Sequence, residues 1–170
     1  YVFESSVNVV NSTISNNSAD FEGGGVRVGE GILNITDSTV SRNRGTGIAA
    51  FDAQSLTVAD SMIVKNSGNG AGGGWDVATF TGSTVSGNGQ SGLGFRNTDL
   101  TVRESIIADN LGQGIVHRDG ALTVDGTAIT GNADTGISST NNSLSLTNVT
   151  IGENSSISGV GGISSYSDTG

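Results

Sequence analysis

The chain has 170 residues, with 7 Lys and Arg against 16 Asp and Glu and a formal net charge of −9. That balance repels phosphate backbones and anionic lipid, so neither nucleic acid nor a membrane surface is an expected partner. There is no Cys, which excludes disulfides and thiolate metal sites, and no Pro, while Gly reaches 28. The apolar share of 34% is low enough for disorder, but disorder brings charge and Pro, and charged residues make up only 14%. No apolar run is long enough to span a bilayer as a helix, so no membrane insertion by this segment is expected.

Taken in chain order, one pattern repeats. The first coil reads Val7-x-Val9, then Ser12-x-Ile14-x-x-Asn17, then Gly25-Val26. The second carries Leu33, Ile35, Ser38, Val40, Asn43 and Gly47-Ile48. The third carries Leu56, Val58, Ser61, Ile63 and Asn66, with its third strand opening at Gly70-Ala71 or at Gly74-Trp75. The first alternative keeps the spacing regular and is preferred; it places Trp75 outside. The fourth has Ala78, Phe80, Ser83, Val85, Asn88 and Gly92-Leu93, and the fifth Leu100, Val102, Ser105, Ile107, Asn110 and Gly114-Ile115. The sixth has Leu122, Val124, Thr127, Ile129, Asn132 and Gly136-Ile137. The seventh has Leu144, Leu146, Ile151, Asn154 and Gly162-Ile163, with Val149 breaking the hydroxyl column.

From Asn17 to Asn154 the Asn-to-Asn steps are 26, 23, 22, 22, 22 and 22 residues. Alternation of period two marks each piece as a strand with one buried face, and Asp, Asn and Gly mark the turns. The strand types recur without reversing, so equivalent strands must stack in parallel about 4.8 Å apart. The expected fold is all-β: a parallel β-helix (a solenoid) of about seven coils of about 22 residues, three short strands per coil. Residues 1–170 are expected to form a single β-helix segment, a fragment of a longer solenoid. Insertions are expected near residues 18–21 and 155–160.

The column Asn17, Asn43, Asn66, Asn88, Asn110, Asn132 and Asn154 is expected to be a buried structural ladder, because an unpaired buried amide costs roughly 1–3 kcal/mol. The Gly that follows it is expected to take a backbone shape other residues avoid. Asp37, Asp60 and Glu104, just before the Ser column, are expected to form turns through side-chain-to-backbone bonds.

The phrase Ser12-Thr13-Ile14-Ser15-Asn16-Asn17 followed by Gly23-Gly24-Gly25-Val26, with Val40-Ser41-Arg42-Asn43 and Val85-Ser86-Gly87-Asn88, resembles the repeats of polymorphic outer-membrane and autotransporter-type surface proteins. These belong to the right-handed parallel β-helix superfamily. The resemblance implies an extracellular or bacterial-type cell-surface location and a rigid adhesive or structural rod without catalysis. The superfamily also contains polysaccharide-degrading enzymes and carbohydrate-binding tailspikes, so a lyase-like or hydrolase-like activity is the alternative.

The best candidate patch for that alternative is Trp75, Asp76, Arg96, His117, Arg118 and Asp119, with Asn97, Asp52 and Glu30 nearby. An indole face beside Arg and carboxylates suits an acidic sugar. The expected partner is a polysaccharide or a host or cell-surface glycan. No catalytic residue is assigned: acids spread one per coil, where a Ca²⁺ site needs six to eight oxygens, and His117 has no evident Ser partner. No cofactor or metal is expected. Residues 68–74 lack the Lys-Ser/Thr of a phosphate loop and the spaced Asp of a repeat Ca²⁺ loop. The outward column Asn8, Asn34, Thr57, Thr79, Thr101, Thr123 and Ser145 suggests ice binding as a minor alternative, opposed by the mixed column Thr13, Thr39, Met62, Thr84, Ile106, Ala128 and Thr150. End-to-end self-association is a further expectation, because terminal coils carry apolar core and unpaired strand edges.

Overall fold

A computed structural model describes residues 2–19, 23–157 and 159–167. Asp20 and Phe21 of the first expected insertion, and Ser158 of the second, lie outside the described residues. Among the described residues every regular element is a strand. They form an 11-stranded sheet and a 7-stranded sheet, parallel throughout. The chain is a right-handed β-solenoid of about seven turns, as its repeat predicts.

The 7-stranded sheet is built from the Ser-x-Ile pieces, stacked from Thr13–Ser15 to Thr150–Gly152. Its register runs Ile14, Val40, Ile63, Val85, Ile107, Ile129, Ile151. The larger sheet carries the other two faces. In four places the third strand of one coil bends into the first strand of the next without a break: Ile48–Ala59, Ala71–Thr81, Ile115–Asp125 and Ile137–Thr147. Elsewhere the two stay separate, as in Leu93–Arg96 and Asp99–Arg103. Ala71 pairs with Ile48 and Leu93, so the third strand of coil three opens at Gly70-Ala71.

Inward columns of Leu, Ile and Val meet between the sheets. Leu33, Ile63, Leu93, Ile107, Ile115 and Leu122 are fully buried. The outermost coils are less covered: Val7, Val9, Ile14, Leu144, Leu146, Val149 and Ile151 are only partly buried.

Polar ladders hold the corners. Each inner Asn is saturated. Asn110 Oδ1 accepts the backbone N–H of Asn88 at 3.1 Å and its Nδ2 at 3.0 Å. Asn110 Nδ2 donates to Asn132 Oδ1 at 2.9 Å and to the Val85 carbonyl at 3.3 Å. The same scheme continues from Asn17 to Asn154. A second ladder lies at the first corner. The Ser61 hydroxyl donates to the Ala59 carbonyl at 2.6 Å and accepts the Ser38 N–H at 3.0 Å. This scheme runs from Ser12 to Thr127.

The corners are tight because the chain turns through left-handed residues. Asp37, Asp60 and Glu104 have φ of 50°, 47° and 49°, and the position before the ladder Asn is equally left-handed, as at Arg42 and Lys65. The three acids stand at turns, as expected, and it is this left-handed backbone that makes the turn. For side chains other than Gly it costs roughly 1–2 kcal/mol per residue, which the ladders offset. The Gly after the ladder corrects an expectation. Gly92, Gly114 and Gly136 do not take a left-handed φ. They are required by space: a Cβ on Gly92 would sit 2.8 Å from Asn110 Nδ2 and from Ile107 Cγ2.

Two outcomes follow. Asn110→Ala leaves donors and acceptors of two neighbouring coils unpaired and should cost roughly 3 kcal/mol or more. Asn17→Ala, at an exposed position, should cost about 1 kcal/mol; urea titrations of both variants check the difference. Ile107→Asp buries an unpaired charge at a position with no solvent exposure and should remove the cooperative melt, a loss above about 4 kcal/mol. A melting point within two or so degrees of the parent, followed by circular dichroism, would contradict this placement.

Candidate functional site

The outward side of the third face is unusually bare. Its column runs Arg27, Ala49, Gly72, Gly94, Val116, Ser138 in register. Gly72 is forced by the neighbouring strand, since a Cβ there would lie 2.4 Å from the Gly94 carbonyl oxygen. Over this floor lies an open groove of about 970 Å³. One wall is the turn that follows the Asn ladder, with Arg44, Thr46, Ser67, Asn69, Gln90 and Ser91. The other is the end of the third strand, with Arg96 and Arg118. Asn69 Oδ1 accepts the Ser91 N–H at 3.0 Å. Its Nδ2 then lies over the floor, 3.3 Å from where a Gly94 Cβ would be.

The six residues of the expected sugar patch are not brought together. Arg96 and Arg118 are exposed neighbours in register on adjacent strands. Asp119 sits at the corner beside them with φ 60°, in line with Asp52 and Asn97, as the repeat spacing indicates. Asp76 is exposed. Trp75, expected outside, is buried at 1% exposure and belongs to the core. The reason is a shift of the bend. Other coils turn at Asp52, Asn97 or Asp119, whereas coil three bends earlier, at Gly73 with φ 123°. The pairing slips between Ala50 and Ala53, and Trp75 falls opposite the buried Ala53. Its N–H backbone group donates to Thr98 Oγ1 at 3.2 Å, while the indole Nε1 has no partner among the described residues.

His117 is also inside, at 1% exposure. It stands in the inward column Ala50, Gly73, Phe95, His117, Ser139. Its Nε2 lies 2.8 Å from the Thr98 carbonyl and its Nδ1 2.8 Å from Asn142 Nδ2. A carbonyl can only accept, so Nε2 carries the proton and Nδ1 accepts from the amide. Ser139 Oγ donates to Asn142 Oδ1 and fixes that amide. Both ring nitrogens are used in the neutral state. His117 is therefore a buried structural residue and not part of a surface patch.

Among the described residues no group of three or more His, Asp or Glu is placed to hold a metal ion. An ion pair between coils joins Arg103 and Asp125 at 3.9 Å. It is exposed, and contributes little.

Residues 73–169 match a family model described as a right handed beta helix region. The chain belongs to this family. No curated protein and no solved structure matches it. The matched part of this β-helix includes Arg96 and Arg118 and the ladder from Asn88 to Asn154. The wall residues Arg44, Asn69 and Gln90 escaped the sequence reading. Counting from the ladder puts Arg44 one residue and Asn69 three residues past an Asn, but their meeting with Arg96 across the third face depends on how far the turn projects.

The His117 environment gives the β-helix a pH signature. Burial lowers its pKa below the ordinary value; the Thr98 carbonyl and the charges of Asp99 and Asp119 oppose this but do not cancel it. The unfolded chain then binds the proton at a higher pH than the folded one. Stability is full above about pH 6.5, the ordinary imidazole value, and falls as pH drops through it toward the lower folded value. Urea midpoints measured from pH 7.5 to 5 should fall for the parent and flatten for His117→Gln. Equal slopes would show that the ring is not desolvated in the folded state. Asp134 acts in a lower window. The Ser156 hydroxyl and the Thr135 N–H lower its pKa, so its contribution is lost only as pH falls through the ordinary carboxylate range.

Proposed function

We propose that this β-helix is a non-catalytic rod within an extracellular or cell-surface protein. The observation that carries the reading is the pair of side-chain ladders running along the stack, Asn at one corner and Ser or Thr at another. They tie each coil to the next independently of the sheet hydrogen bonds, which is the arrangement a stiff spacer needs. The surface placement rests on the likeness of the repeat phrases to outer-membrane and autotransporter-type proteins. An adhesive role follows from the same likeness.

A second reading, carbohydrate binding, is favoured by the position of Arg96 and Arg118 on the wall of an open groove. On this reading the rod presents a glycan site along its side.

Pulling single molecules by their two ends tests the rod. Extension should proceed in steps of one or a few coils at high force, and Asn110→Ala should lower the force of the steps that involve its two neighbours. Smooth extension at low force would sink the reading. So would turnover of a polysaccharide by the intact chain that disappears in Arg118→Ala.

A further inference from the structure

We propose that two copies of this chain pair side by side through the outward face of the 7-stranded sheet, with both rods pointing the same way. That face is built from the residues on either side of each inward Ile or Val. They register along the stack from Thr13 and Ser15 to Thr150 and Gly152. Every one of them is Thr, Ser, Met, Val, Ile, Ala or Gly. The chain has 7 Lys and Arg and 16 Asp and Glu, and the outward sides of the other two faces carry some of them, as at Asp99 and Arg103 on one and Arg96 on the other. Chains of net charge −9 repel one another, so two copies approach at the least electrostatic cost through a face without charge. Two large apolar side chains stand out from that face, Met62 and Ile106, each 48% exposed.

The edges of the face select a second copy as the occupant and set its orientation. At each end of the short strand the chain turns through a left-handed residue. One edge carries Asp37, Asp60, Gly82 and Glu104 in coils two to five, and the other Arg42, Lys65, Gly87 and Asp109. Among the described residues none of these charges is in an ion pair. A two-fold axis running along the rod lays one edge against the other at the same coil height. Asp37 then faces Arg42 of the partner subunit, and Asp60 faces Lys65 of the partner subunit. Each facing occurs twice by symmetry, against one doubled facing of like charges, Glu104 on Asp109. Sheet faces pack about 10 Å apart, within reach of Arg and Lys side chains at the rim. A two-fold axis across the rod instead lays each edge against itself. Centred on coil four, it sets Lys65 against Asp109 but Asp60 against Glu104, so attraction and repulsion cancel.

The axis along the rod also matches the face to itself. It sets the residue before each inward side chain against the residue after it in the same coil. Coil three then packs Met62 on Val64 and coil five Ile106 on Ala108, while coils one, two and four set Thr against Ser. Five residues across at about 3.3 Å each, and seven strands at about 4.8 Å each, give roughly 550 Å² per copy. Two copies bury roughly 1,100 Å², just above the roughly 1,000 Å² that a specific interface needs. The pair should therefore be weak, with a Kd on the order of 10 to 100 µM. Nucleic acid needs positive charge on the surface it covers, and this face has none. A peptide docking as a strand needs a free sheet edge, whereas this surface is a sheet face.

Sedimentation equilibrium of the intact chain, from about 5 µM to about 1 mM, tests the proposal. The parent should form dimers and no larger species, because a two-fold pair is closed. Ile106→Lys puts charge in the middle of the face and should weaken pairing at least about tenfold. Its melting point at low concentration should stay near that of the parent, because the side chain is half exposed. Arg42→Asp should weaken pairing about fivefold, and Asp37→Arg added to it should restore the affinity. Asp109→Lys should tighten pairing, because it turns the like charges of coil five into opposite ones. These corners accept either charge, since Arg42, Lys65 and Asp109 hold the same position in different coils. Under an axis across the rod Asp109→Lys would meet Lys65 and weaken pairing, and that result would overturn the parallel orientation. A chain still monomeric at about 1 mM would overturn the pairing itself. Association that Ile106→Lys leaves unchanged, or that grows into open polymers, would place the contact at the rod ends or on another face and overturn this one.

Discussion

The whole assembly depends on what a buried Asn amide does at the second corner. A chain that turns three times per coil interrupts its sheet hydrogen bonding on both sides of the Ser-x-Ile strand and leaves backbone groups facing the interior there. The Asn side chain has two donors and an acceptor with two lone pairs, and all are used. Its oxygen takes the backbone and amide N–H of one neighbour, and its nitrogen serves the other neighbour and a carbonyl at the end of the Ser-x-Ile strand. No apolar residue can replace it, and Asp would turn the donor end into an acceptor. The Gly that follows exists because this amide needs its space.

Once that corner is secured, the coil has little freedom. Left-handed residues at the corners keep the turns short, and the hydroxyl ladder satisfies the first corner with one small side chain per coil. The apolar columns then fall into contact between two sheets. No coil could bury its own set alone, and each is covered by the next. The seventh coil, where Val149 replaces the hydroxyl, lacks that part of the frame, and its Leu144 and Leu146 are less buried than the residues they continue.

The third corner is the variable part of the repeat, and the individual features of the molecule collect there. Among the described residues it has no side-chain ladder of one residue type. Its bend moves from Asp52 to Gly73 to Asn97, and its inward column changes from Ala50 to Phe95, His117 and Ser139. The interior at that corner is correspondingly polar in the later coils, with Thr98, His117, Asn142 and Ser139 joined in one network. The outer surface beside it holds the groove and its arginines. Regular corners make the rod, and the irregular one carries what distinguishes this rod from another.

Sequence alone determined the fold class, the coil count, the strand registers and the Asn ladder. Each of these is a property of one column repeated at a fixed step, and a column of Ile, of Ser or of Asn has one stable placement when coils stack in parallel. Tertiary structure alone decided the orientation of Trp75 and His117 and the existence of the groove. On a strand a slip of one residue exchanges the inner and outer faces, and in coil three Trp75 interrupts the column of Asp52, Asn97 and Asp119 that marks the third bend in other coils. Gly73 takes the turn two residues before Trp75 and sends the indole inward. Arg44 and Arg96 come from different turns of different coils, so their shared groove exists only once the coils are stacked.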